Sequence, residues 1–138
     1  MFISDIKKSQ KKIEKLVLNY LIATMVCAGF GAVYEVFSHG VYSYYMLYAF
    51  MIPFLGGVVY FYCILYFRSK TPGYIARRLH HFGISTLTIG CILCGVLEIY
   101  GTSNRLVLFY FIVGGIFLVI GNFAYLRKKE PESRIEIE

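Results

Sequence analysis

Charge is scarce in this chain: Asp, Glu, Lys and Arg make up 16% of its 138 residues, against about a quarter in a soluble domain. Acid is scarcer still, with eight Asp and Glu in all. No P-loop, Gly-rich dinucleotide turn, metal-spaced Cys/His cluster or nucleophile elbow is present, so the motif-bearing enzyme classes have no foothold. What the chain has instead is apolar length. Hydrophobic residues reach 58% and mean hydropathy is +0.63. Four apolar runs of roughly 20 residues, the length of a bilayer core, lie at Leu16–Phe37, Tyr44–Phe67, Phe82–Tyr100 and Leu106–Leu126. Nothing outside them is long enough for a second, soluble domain. The first run is too long for a signal-peptide core and no small-x-small cleavage site closes it, so it reads as a retained span.

The basic residues predict an orientation. Lys7, Lys8, Lys11, Lys12 and Lys15 precede the first span, and Arg68, Lys70, Arg77 and Arg78 lie between the second and third. Arg127, Lys128, Lys129 and Arg134 follow the fourth, leaving Arg105 alone on the other side. The positive-inside rule then puts both termini in the cytoplasm. The net charge of +6 is a topology signal, and no nucleic-acid partner is expected from it. The expected fold is an all-α integral membrane protein, a bundle of four transmembrane helices. It divides into a basic N-terminal segment (1–15), a first hairpin (16–68), a cytoplasmic loop with a second hairpin (69–127) and a charged, mobile tail (128–138). The apolar spacing of Phe2, Ile6, Ile13 and Val17 among lysines fits either an amphipathic segment on the inner leaflet or the start of the first helix.

The two halves resemble each other. Gly31-Ala32-Val33-Tyr34-Glu35-Val36-Phe37-Ser38-His39 is answered by Cys94-Gly95-Val96-Leu97-Glu98-Ile99-Tyr100-Gly101-Thr102. Phe54-Leu55-Gly56-Gly57 is answered by Ile112-Val113-Gly114-Gly115, and Tyr66-Phe67-Arg68 by Tyr125-Leu126-Arg127. Each half enters the membrane from the same side, so the hairpins are expected to be tandem parallel repeats about an axis along the membrane normal. Small residues on the faces of Glu35 and Glu98 predict that helices one and three meet there, with Ala28 approaching Cys91. Pro53 predicts a kink in the second helix that frees the Ala49 carbonyl. Thr71-Pro72 reads as an N-cap followed by proline at the first helical position.

Glu35 and Glu98 are the sharpest functional candidates, because an acid inside a span is costly and marks a site by default. The repeat places both at one depth near the outer face, walled by Tyr34, Phe37 and Tyr100, and aromatic faces beside carboxylates suit a cation. Binding or transport of a small cation or cationic molecule through this outer pocket, by a homo-oligomer, is the first reading. The alternative is a non-catalytic accessory or assembly subunit of a larger membrane complex. A membrane thiol oxidoreductase is a third: Cys91 and Cys94 form a C-x-x-C, as in the quinone-linked four-helix enzymes, but Cys27 and Cys63 stand alone in their spans and make no second pair. His39 lies at the opposite end from His80 and His81, so no haem is expected and the histidines read as interfacial. No cofactor is assigned, and the sequence leaves a metal ligand set undetermined. Four spans with a membrane-embedded Glu resemble the small multidrug transporters. Those carry their acid deeper in the first span beside a tryptophan, whereas this chain has no Trp and a second Glu, so no residue role carries over.

Overall fold

The computed structural model describes residues 2–67 and 71–127, and every regular element among them is helical. The helices are α1 (Phe2–Phe37), α2 (Tyr44–Tyr66), α3 (Tyr74–Ile99) and α4 (Val107–Arg127). All four are long and apolar enough to cross a membrane, as expected. Between 17% and 33% of the most apolar stretch of each is buried inside the bundle. The remaining apolar surface, Val36 and Leu126 among it, is turned outward, where lipid rather than water matches it. By its helices this is a multi-pass membrane protein. Arg68, Lys70, Lys128, Lys129, Arg134 and the charged tail lie outside the described residues.

α1 exceeds the expected first span because nothing in the basic segment stops a helix. No Gly or Pro precedes Gly29, and Lys, Glu, Gln and Leu are good helix formers. The segment 2–15 is thus one rod with the span. Its 36 residues rise about 54 Å, well beyond a hydrocarbon core of about 30 Å. Ile13, Tyr20, Thr24 and Gly31 are buried along one stripe of α1, while Ile3 and Ile6 continue that stripe exposed. The helix ends where Ser38 Oγ donates to the Glu35 carbonyl at 2.8 Å. His39 (φ 54°) and Gly40 (φ 91°) then turn the chain in left-handed conformation.

α2 is the irregular helix. It is interrupted at Ala49–Phe50, resumes over Met51–Pro53, widens into a π-helical turn over Phe54–Val59 and finishes as Tyr60–Tyr66. Pro53 cannot donate and crowds the preceding turn, so the break falls where the sequence predicts it. α3 departs from expectation at its start. Gly73, not Thr71, holds the N-cap position, and the helix begins at Tyr74 behind a buried Pro72. Its end is a Schellman turn: Thr102 N–H bonds to Leu97 O and Gly101 N–H to Glu98 O, both at 3.0 Å, with Gly101 at φ 72°.

The helices pack in chain order, with α3 on α4 the most extensive pair. Glycine makes that closeness possible: a Cβ at Gly83 would lie 2.7 Å from Leu118 Cγ, and one at Gly114 2.6 Å from Leu87 Cγ and 3.2 Å from Gly83 O. Ile13, Tyr20, Phe61, Ile64 and Ile84 join α1, α2 and α3 in an apolar core toward the terminal end. At the opposite end, here the turn end, the expected meeting of α1 and α3 does not occur. The first turn of α2 comes between them. A Cβ at Gly31 would lie 3.2 Å from Met46 O, and one at Gly95 2.8 Å from Met46 N. The Cys91 thiol donates to the Tyr45 carbonyl at 3.1 Å rather than facing Ala28. Two small-residue faces invite close packing, but they admit any thin segment, and the loop after Gly40 delivers α2 there first.

Candidate functional site

The wedge of α2 decides where the acids go. Glu35 lies one turn beyond Gly31 and Glu98 one turn beyond Gly95, the two glycines against Met46, so both acids stand at the turn end. Ser43 stands at the first turn of α2 as its N-cap, with extended backbone and its Oγ 3.4 Å from Met46 N. It is almost fully buried and donates from Oγ to Glu98 Oε2 at 2.5 Å. Glu35 is half-buried, and its Oε1 is sealed from solvent with no hydrogen-bond partner in the structure.

The aromatic candidates divide. The Tyr34 and Tyr100 side chains lie near one another at the turn end, and Tyr100 is 74% exposed. Phe30 leans on Tyr34 with centroids 5.9 Å apart. Phe37 is 74% exposed, so it lies at the rim. Ser43 was not among the sequence candidates. Its signal was modest: a polar residue just before an aromatic-rich helix start reads as an N-cap, and nothing local announces that its hydroxyl turns to Glu98.

A second polar cluster lies toward the terminal end. His80 is buried, with Nε2 2.6 Å from the Gly56 carbonyl of the π turn. Tyr20 Oη lies 2.5 Å from His81 Nδ1, and the two rings stack at 5.1 Å. Tyr60 stacks on His80 at 4.3 Å and donates to Asn122 Oδ1 at 3.0 Å. His80 is therefore buried within the bundle and His81 half-buried against α1, whereas His39 is exposed at the turn after α1. The sequence signal was there, since His80 falls on the helical face of Glu98, but adjacent Arg77 and Arg78 argued for the headgroups. From His80 to Glu98 α3 rises roughly 27 Å, so the two clusters are nearly a hydrocarbon thickness apart.

Other features are plainer. No group of three or more His, Cys, Asp or Glu able to hold a metal ion occurs among the described residues. Cys27, Cys63, Cys91 and Cys94 are free thiols, and Cys91 is buried by packing on α2. An open-sided cavity of about 410 Å³ lies at Leu55, Val59, Tyr60, Cys63, Ile64, Phe67 and Tyr125, away from both acids. No known protein family, curated protein or solved structure matches the chain.

Proposed function

We propose that the chain binds a small cation or cationic molecule at the turn end, held by Glu35 and Glu98 and walled by Tyr34, Phe37 and Tyr100. The observation that carries this reading is Glu35 Oε1, a sealed acceptor with no donor among the described residues, at the same end of the bundle as Glu98, which accepts from Ser43. A carboxylate oxygen so placed costs stability unless a donor or cation meets it. Positive-inside counting puts the turn end outside and both termini in the cytoplasm. The tandem-repeat reading rests on the paired sequence motifs alone: in their register Gly57 answers Gly115, and a Cβ at Gly57 would meet Tyr20 whereas one at Gly115 would meet nothing within 4 Å. Transport by a homo-oligomer extends the same reading, since one four-helix chain leaves little room for a path.

The test is binding by protein in lipid nanodiscs of benzylammonium, tetramethylammonium and Mg²⁺. At least one binds saturably, and Glu35→Gln and Glu98→Gln each weaken it by roughly tenfold or more. Absence of saturable binding by all three, or wild-type affinity retained in either variant, overturns the reading.

The second reading, an accessory subunit, is favoured by α1. Its exposed apolar stripe at Ile3 (71% exposed) and Ile6 (45%) continues past the bundle core, a face for a partner of a larger membrane complex. Stoichiometric co-purification of a partner, lost on Ile3→Asp with Ile6→Asp, supports it. A chain that purifies alone from its native membrane contradicts it.

A further inference from the structure

The histidine cluster is not used by the cation reading. A carbonyl oxygen only accepts, so the bond between His80 and Gly56 O puts the ring hydrogen on Nε2. The neutral ring then leaves Nδ1 as a bare lone pair. That atom is buried in a residue only 5% exposed, and no donor meets it. Tyr60 of α2 stacks on the ring and donates to Asn122 of α4, with Tyr125 of α4 near Tyr60; His81 of α3 lies next to His80, bonded to Tyr20 of α1 and with Arg77 and Arg78 nearest to it. None of these is a carboxylate.

Nε2 is satisfied in either protonation state, its bond to Gly56 O only strengthening in the cation, so the burden of a second proton falls on Nδ1. A proton added at Nδ1 converts the ring to imidazolium, forming one N–H bond and consuming only a proton from water. That N–H has no acceptor among the described residues, and the new cation sits on a residue only 5% exposed. A buried, unpaired charge is costly, and the cost is relieved by opening the site. The ring bears on the π turn that follows Pro53, through Gly56, and a ring that swings to bring Nδ1–H to an acceptor draws Nε2 away from that carbonyl. Such turns are the deformable stretches of helices and recur at functional sites. The same helix is latched to α3 by Ser43 on Glu98 and by the Tyr45 carbonyl on Cys91. α2 is thus held by α3 at its first turn and at its π turn, with the break at Ala49–Phe50 and Pro53 between.

We propose that His80 is a proton site, that protonating Nδ1 releases the π turn of α2 from α3, and that this release changes cation affinity at Glu35 and Glu98. The last step rests on the cation reading; the proton site and the release of α2 do not.

The test is ¹⁵N-histidine and backbone NMR of the protein in bilayers, from pH 8 to pH 5, on wild type and His80→Gln. Glutamine keeps an N–H near the place of Nε2 for Gly56 and lacks a basic nitrogen. At pH 8 the wild-type His80 carries hydrogen on Nε2 alone. On acidification Nδ1 takes a proton, and the backbone signals of Phe54–Val59 move with it; in His80→Gln they stay. A His80 that remains neutral to pH 5, or titrates while Phe54–Val59 do not move, overturns the proposal, as do shifts that persist in His80→Gln. In a second arm, the affinity of benzylammonium changes roughly tenfold between the two pH values in wild type and stays level in His80→Gln. A level wild-type response overturns the coupling. No binding of any cation overturns the cation reading, and the NMR arm then decides the proton site by itself.

Discussion

Replacing Gly95 with alanine probes the contact that places both acids. A Cβ there would stand 2.8 Å from Met46 N, 2.9 Å from Met46 Cβ and 3.1 Å from Met46 Cα. Two of the three are backbone atoms of a helix turn that Gly31 holds from the other side, so no flexible side chain can yield. Overpacking of this kind costs about 1–3 kcal/mol. Shifting α2 also strains the bond from Ser43 to Glu98, about 1–2 kcal/mol for a charge-assisted bond at a partly exposed end. Alanine returns about 1 kcal/mol of helix propensity. The expected net loss is about 1–4 kcal/mol. Gly115→Ala is the matched control: nothing lies within 4 Å of its Cβ, so only the propensity gain remains. Unfolding of both variants by a graded denaturing detergent in mixed micelles, with wild type alongside, gives the comparison. If Gly95→Ala is as stable as Gly115→Ala, α2 does not wedge between α1 and α3 and the site described here dissolves.

Two further outcomes follow. Tyr20→Phe keeps the stacked ring and loses the hydrogen bond to His81, so it destabilises by about 1 kcal/mol, whereas Tyr20→Ala, which empties the space against Phe61 and Gly57, costs about 3–5 kcal/mol; the same detergent titration separates them. In intact cells an impermeant maleimide labels Ser103→Cys from outside and leaves Lys8→Cys untouched, and the reverse pattern contradicts the orientation drawn from the basic residues.

Much of the bundle is legible in the residues. Apolar runs bounded by lysines and arginines announce four spans, because only such runs satisfy both lipid and backbone. Pro53 announces the break in α2. What the sequence hides is which surfaces meet. The small faces at Gly31 and Gly95 are equally suited to each other and to a thin third segment, and only the path of the loop after Gly40 selects Met46. The extended α1 was hidden for a different reason: lysine-rich helix and lysine-rich surface segment share one pattern, and the absence of Gly and Pro before Gly29 tips the balance only when weighed over the whole stretch. His80 and His81 were masked by Arg77 and Arg78, whose charges mark an interface although the histidine rings turn inward beneath Tyr20 and Tyr60. The acids were the most visible part of the site, and the buried hydroxyl of Ser43 the least.

The central claim is that Glu35 and Glu98 act on one cation at the turn end. A double-mutant cycle of Glu35→Gln and Glu98→Gln, read as the dissociation constant of the tightest-binding cation in nanodiscs, tests it most directly. The account predicts strong non-additivity, the double variant binding no more weakly than the worse single one. Losses that simply add would mean two independent carboxylates and would contradict it.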